Sequence, residues 1–272
     1  HDIGRNKKHL GDNPESNYYH SYLMKDFGIQ FIAADNFTHV VGQDAAPDIP
    51  GWFKMVYEGA LTIWASVKNG NWDVNCSNLL MQPFELDDGR VFLRFTRFVN
   101  KERELPHNGV DVMFIEQQLT GETLNRLVER EGYMVLQTRL GANKGYAELI
   151  PRETRQAFRR VANRFNAGQL LVTTTSRLLN YNLAYNNLRW SWEKEGDSYY
   201  IRIDGIEHPV DDEFVTRKEH LMGLSFLTPD PENTAILFQG EPLNNVERHR
   251  GCNGDLGCIT IPWEWLEFPE GD

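Results

Sequence analysis

Cysteine is scarce: Cys76, Cys252 and Cys258 are the only three in 272 residues. That number is too small for a disulfide-stapled scaffold, and the spacing lacks the paired Cys-x-x-Cys units of a structural zinc site. Long apolar runs are missing too. Stretches such as Leu79-Leu80-Met81 break within a few positions, far short of the ~20 residues a membrane span needs. Positive charge is in deficit: 28 Lys and Arg against 39 Asp and Glu give a formal net charge of −11, which argues against nucleic acid as a partner. No Gly-rich phosphate loop, nucleophile elbow or dinucleotide-binding fingerprint occurs, so nucleotide cofactors have no support. The chain opens on His1 without the basic flank and apolar core of a signal peptide, and the expectation is that it once continued upstream.

What is present is the composition of a globular chain, 40% hydrophobic and 25% charged. At ~150 residues per domain the length predicts two domains. Pro14 and the spacing of Tyr19, Tyr22 and Leu23 predict a helix over 14–27 that stops at Gly28. A strand over 29–33 then leads to a loop carrying Thr38, His39, Gly42, Gln43 and Asp44, and Tyr57 to Val67 carries an apolar-faced helical pattern. Asp87-Asp88-Gly89 reads as a turn before a strand over 91–98.

Further along, Leu124, Leu127 and Val128 mark a helix followed by a strand at 133–136. A second helix opens at Pro151, with an apolar stripe of Phe158, Val161, Ala162 and Phe165, and precedes a strand at 170–172. A third holds Leu178, Leu179 and Leu183. This alternation predicts an α/β domain over 1–187, its helices covering a largely parallel sheet or barrel. From 188 to 272 the pattern changes to short alternating runs. Leu188–Trp192 and Tyr199–Ile203 flank Gly196-Asp197 as a hairpin, and 224–227, 235–238 and 259–261 read as strands, predicting an antiparallel β-sandwich. Cys252 and Cys258, six apart around a turn-rich connector, suit either a disulfide or two reduced thiols, and Cys76 suits a buried position.

His1-Asp2-Ile3-Gly4-Arg5 holds the sharpest chemistry, because an adjacent imidazole and carboxylate can serve one divalent metal. A similar His-Asp-Ile-Gly run occurs in HD-type metal phosphohydrolases, on an all-helical domain that the β-rich pattern here contradicts. His39 and Asp44 lie on a post-strand loop where they either meet substrate or only hold the turn, and Arg94 and Arg97 either reach an acidic saccharide from a sheet or form structural ion pairs. Trp190 and Trp192, like Trp263 and Trp265, alternate along a strand, so each pair shares one face. That face is either a platform for sugar rings or, as Trp more often is, core material.

The chain as a whole resembles the polysaccharide deacetylase-like proteins, relatives of the NodB-type carbohydrate esterases, in forms whose (β/α) barrel precedes a β-sandwich. The resemblance runs through His1 to Arg5, Phe27-Gly28-Ile29, Thr38 to Asp44, Asp88-Gly89-Arg90, Phe95 to Phe98, Met134 to Gly141, Leu170 to Tyr181, Leu221 to Phe226 and Ile259 to Trp263. It implies a partial barrel of deacetylase type and a polysaccharide or oligosaccharide substrate. It also implies a divalent metal, commonly zinc, held by one Asp and two His and activating water against an acetyl carbonyl.

On that pattern His1 is the metal-ligand candidate and Asp2 the catalytic carboxylate beside it, while His39, Asp44 and Arg97 are substrate-binding candidates. The Asp-rich first strand of those proteins would precede His1, and their short His-to-His spacing does not follow it. Arg139 stands where they commonly carry a proton-donating His. A guanidinium exchanges no proton near neutral pH but binds anions well. The expectation is therefore a metal-dependent carbohydrate deacetylase, with a saccharide-binding or polysaccharide-assembly protein of the same fold as the alternative. Carbohydrate chemistry and a Cys252–Cys258 bridge would both favour an exported or envelope setting.

Overall fold

The computed structural model describes residues 11–33, 36–45, 78–100, 111–139 and 150–264. His1, Asp2, the helical pattern at 57–67, Cys76 and Trp265 lie outside the described residues. The chain is mixed α/β, with several small sheets and few helices, and no closed barrel is found among the described residues. Nor is any described helix long and apolar enough to cross a membrane. Contacts divide the chain into His1–Val172 and Thr173–Asp272, ahead of the change of pattern at Asn187.

In the N-terminal unit the helix expected over 14–27 gives way to turns and a short 3₁₀ segment, Ser21–Leu23. Side chains compete for the backbone there. The Asn13 amide oxygen accepts from Glu15 N–H at 2.9 Å and the Ser16 hydroxyl from Tyr18 N–H at 3.1 Å, while His20 and Ser21 N–H both turn back to the Gly11 carbonyl. Such i to i+2 bonds favour turns over helix. The segment is then tied to the turn between two strands. Ser21 and Tyr19 hydroxyls donate to Asp88, whose carboxylate also takes the Arg90 guanidinium and the Arg90 N–H, and Asp12 accepts from Asp87 N–H.

Strand β1, Phe31–Ile32, runs parallel to β4, Val91–Phe95, and β4 pairs antiparallel with β3, Met81–Glu85, giving the order β1-β4-β3. Alternation in β3 and β4 puts Phe92 into a core with Met24, Ile32 and Leu86, and Phe84 packs against it. A separate parallel pair joins β2, Phe37–Thr38, to β5, Arg97–Phe98. Buried Asn36 donates to the Thr96 hydroxyl at 2.8 Å, and Thr96 donates to the Leu79 carbonyl, so the polar groups between the two pairs are satisfied.

The helices are α1, Ile115–Gln118, entered through a 3₁₀ turn; α2, Gly121–Arg130; and α3, Arg152–Asn166. The Thr120 hydroxyl caps α2 by accepting from Thr123 N–H at 3.0 Å. Ile115, Leu119, Leu124 and Ala157 form the core between them, with Met134, Leu136, Val161 and Leu170 against it. The buried line of α3 is Thr154, Ala157 and half-buried Val161, so the expected stripe holds in part: Val161 and Phe165 are half-buried, whereas Phe158 and Ala162 are exposed. Two polar contacts set that rotation. Thr154 donates to the Val112 carbonyl at 2.7 Å, and the Arg160 guanidinium donates to the Leu119 carbonyl at 3.1 Å.

The strands expected at 133–136 and 170–172 do not form as continuous strands. Tyr133 makes an isolated bridge with Gln43, Val135 accepts from Phe98 N–H, and Leu171 and Val172 are exposed.

The C-terminal unit opens with α4, Thr175–Asn187, capped by the Thr174 hydroxyl, and continues directly into β6, Leu188–Glu195. β6 and β7, Ser198–Ile206, form the expected hairpin, with Gly196 at φ +60° in its turn. Next come β8, Ser225–Thr228; β9, Thr234–Phe238; β10, Glu241–Pro242; β11, Glu247–Asn253; and β12, Leu256–Thr260. They build one sheet in the order β10-β9-β7-β6 and another in the order β11-β12-β8. The pairing is antiparallel except for β7 against β9, which is parallel because the chain crosses over between them. Ile201, Ile203, Ile236, Phe238, Phe226 and Ile259 are buried. Cys252 and Cys258 are joined as a disulfide across the β11–β12 hairpin, with Cα atoms 5.9 Å apart.

Two predictions follow from backbone closeness and from the Asp88 hub. A Cβ on Gly132 would lie 2.7 Å from the Gly42 backbone, whereas one on Gly121 meets nothing within 4 Å. Gly132→Ala is expected to cost about 1–3 kcal/mol in urea unfolding, and Gly121→Ala to leave stability level or raise it by up to ~1 kcal/mol.

Burial alone would raise the Asp88 pKa, but the Ser21 hydroxyl and the Arg90 N–H and guanidinium outweigh it and hold the carboxyl below its ordinary value. Its stabilising contribution is therefore complete above the ordinary carboxylate range and fades as pH falls through the lowered folded value. Asp88→Asn should cost about 1–3 kcal/mol at pH 7 and flatten the acid limb of a stability–pH curve.

Candidate functional site

Three segments separated in sequence meet in the N-terminal unit. In the β2–β5 pair, Phe37 lies opposite Arg97 and Thr38 opposite Phe98. Val99 N–H donates to the Thr38 carbonyl, and Phe98 N–H to the Val135 carbonyl, each at 2.8 Å. Gln43 and Tyr133 exchange backbone bonds of 2.7 and 2.8 Å. The stretches 37–44, 97–99 and 133–139, all of which carry motifs quoted above, are thus laid side by side.

Arg97 lies at their centre with only 4% of its surface exposed. Its guanidinium stacks over the Phe37 ring at 4.2 Å and donates to the Gln137 side-chain carbonyl. A buried cation is tolerated where an aromatic face and hydrogen-bond acceptors replace water. Next to Gln137, the Thr138 hydroxyl is buried with no hydrogen-bond partner among the described residues. Arg139 is exposed, and its backbone bridges to Asp111.

His39 is half-buried, with Nδ1 2.6 Å from the Val99 carbonyl oxygen. Because a carbonyl only accepts, Nδ1 carries the proton, and Nε2 of the neutral ring is left as an acceptor. Asp44 sits at φ +54° where the chain turns. Its N–H donates to the Asn78 carbonyl at 2.6 Å and its carboxylate accepts from Leu80 N–H at 3.2 Å, so it fastens the loop to the start of β3. Arg94 lies over the Phe84 ring at 4.3 Å, and burial pushes its pKa down.

The cluster therefore contains Arg97, Arg139 and His39 from the expected set and adds Gln137, Thr138 and Phe37, which were not singled out. An arginine inside a strand of apolar residues was the available signal, because its charge must find a partner in the interior.

Among the described residues no group of three or more His, Cys, Asp or Glu is placed to hold a metal. His1 and Asp2 lie outside them. Strands β1 to β5 in this unit are at odds with the all-helical domain of an HD-type phosphohydrolase.

In the C-terminal unit, Trp190 and Trp192 are not core residues: they are 48% and 61% exposed. Their positions on β6 lie opposite buried Ile203 and Ile201, but β6 is the sheet edge and no strand among the described residues flanks its outer side. Trp190 meets Phe226 edge-on at 5.1 Å, Trp192 lies 6.2 Å from Tyr199, and the Lys194 amine lies over Tyr199.

Comparison of the chain with protein-family models, with curated proteins and with solved structures finds no match.

Replacing Arg97 by Met keeps the volume but leaves the Gln137 oxygen without its donor. Arg97→Met should destabilise the chain by about 1–3 kcal/mol in urea unfolding, and the double variant Arg97→Met/Gln137→Leu should recover part of that loss.

Proposed function

We propose that the protein is a carbohydrate-active, deacetylase-like protein whose N-terminal unit binds an acetylated, acidic polysaccharide or oligosaccharide. The observation that carries this reading is the Arg97 guanidinium buried where β2, β5 and 133–139 meet. A planar cation beside an amide, with the Thr138 hydroxyl on the next residue lacking a partner among the described residues, suits a sugar carboxylate flanked by hydroxyl or acetyl groups. The exposed Arg139 adds a second cation on the same stretch of chain. A partial (β/α) barrel followed by a β-sandwich is the architecture that goes with this reading.

Removal of the acetyl group is the reaction this reading assigns, and His39 supports it. With Nδ1 committed to a backbone carbonyl, Nε2 is oriented to take a proton from an attacking water. The resembling proteins use zinc for this step, yet the described residues do not furnish their one-Asp, two-His ligand set, so no step is derived through a metal. Binding without turnover is the second reading, because on the resemblance Arg139 stands where those proteins carry a proton-donating His.

The test is a pair of assays on the full chain, isothermal titration with acetylated and de-acetylated acidic oligosaccharides and acetate release from the same compounds. Expected results are tighter binding of the acetylated forms, at least a tenfold loss in Arg97→Lys, and acetate release that His39→Gln abolishes with binding intact. Binding without acetate release would select the non-catalytic reading. Failure to bind any of these saccharides would overturn both.

A further inference from the structure

The C-terminal unit contains a cleft of about 180 Å3 between the first turns of α4, the 3₁₀ turn Lys218–Leu221 and the chain after β12. Arg177, Asn180, Tyr181, Glu219, His220 and Trp263 contribute to its walls. We infer that this cleft is a binding site for a single neutral sugar ring, standing on its own groups whatever the N-terminal unit binds.

The wall is rigid. Gly223, at φ +87°, is covered by the Trp263 indole so closely that a Cβ there would fall 2.3 Å from its nitrogen. Tyr181 lies 5.9 Å from Trp263 and 6.0 Å from Tyr185, forming an aromatic side of the kind that packs against the C–H faces of a sugar. The His220 ring lies tilted against Phe214 at 4.9 Å, and Phe214 against His208 at 4.8 Å.

The polar groups are complementary to hydroxyls, which both donate and accept. Among the described residues Asn180 Oδ1 is buried with no hydrogen-bond partner, an acceptor suited to an incoming donor. His220 Nδ1 accepts from Arg217 N–H at 3.1 Å, which places the ring proton on Nε2 as a donor. Burial lowers the His220 pKa, with Glu219 opposing and Arg217 reinforcing the shift, which favours the neutral ring. Burial, with the nearby Tyr185, raises the pKa of Tyr181 and keeps its phenol protonated.

Charge selects against an anion. Arg177 is occupied, lying 5.9 Å over Trp263 and donating to the Glu264 carbonyl at 2.6 Å, and Glu219 contributes a negative charge. Size selects one ring, because sites for drug-sized ligands run to roughly 300–1,000 Å3.

The test uses the full chain with glucose, N-acetylglucosamine and cellobiose as probes, read by saturation-transfer NMR and by tryptophan fluorescence titration. Glycerol and glucuronate serve as controls. Asn180→Leu is the informative variant, since removing an unpaired buried oxygen leaves folding neutral or stabilised. The expected result is saturable sugar binding that weakens at least tenfold in Asn180→Leu, with Tm equal or higher, and is not competed by glucuronate. Should Asn180→Leu not fold, Tyr181→Phe and His220→Phe take its place, with the same loss expected. No binding of any probe would overturn the inference. So would equal affinity in the cleft variants, or competition by glucuronate, which would place the sugar at the other site.

Discussion

The close approach of the Gly42 and Gly132 backbones is the constraint on which the N-terminal unit depends. It lets Gln43 and Tyr133 exchange a pair of backbone bonds, with the Gln43 side chain fully buried and donating to the Val40 carbonyl. No side chain on Gly132 could occupy that gap. Once those two bonds form, the loop after β2 is fastened to the segment after α2, and Phe98 N–H finds the Val135 carbonyl. The Arg97 site follows, because Gln137 is carried to the guanidinium by the same segment. A cation that would be costly in an apolar interior is thus placed between an aromatic ring and an amide oxygen.

Edges govern the C-terminal unit in the same way. β6 is long and starts without a break from α4, but its outer side pairs with no strand among the described residues. Residues on the core-facing positions of a central strand are covered; on this edge Trp190 and Trp192 have rings with one side on Phe226 or Tyr199 and the other in solvent. Ion pairs of Arg202 with Glu193 and Glu195 occupy the opposite face, and charge there protects an edge from pairing with another chain. The Cys252–Cys258 bridge closes the β11–β12 hairpin, whose β11 is exposed along its whole length and contributes little buried surface of its own.

Much of the local structure was legible because it depends on neighbours in sequence. The hairpin around Gly196-Asp197 needs only a turn flanked by alternating residues, and the β3–β4 turn at Asp87-Asp88-Gly89 is of the same kind. Leu124 and Leu127 identified α2 and its buried face, and the cap that the Thr120 hydroxyl supplies is equally local. The helix expected over 14–27 failed for an equally local reason: Asn13 and Ser16 bond to backbone N–H groups two residues on, and a count of apolar spacing does not register that competition.

The sequence by itself determined the mixed α/β character, the acidic balance, most helices and hairpins, and which short motifs hold chemistry. Tertiary structure alone decided which of those motifs meet. The pairing of β2 with β5 spans some sixty residues, and nothing within either two-residue strand specifies its partner. It also decided the phase of α3, through Thr154 and Arg160 reaching carbonyls about forty residues away, and the exposure of Trp190 and Trp192, through the position of β6 in its sheet. Periodicity reports that a face is apolar; whether a second element arrives to cover it is settled by contacts between residues far apart in the chain.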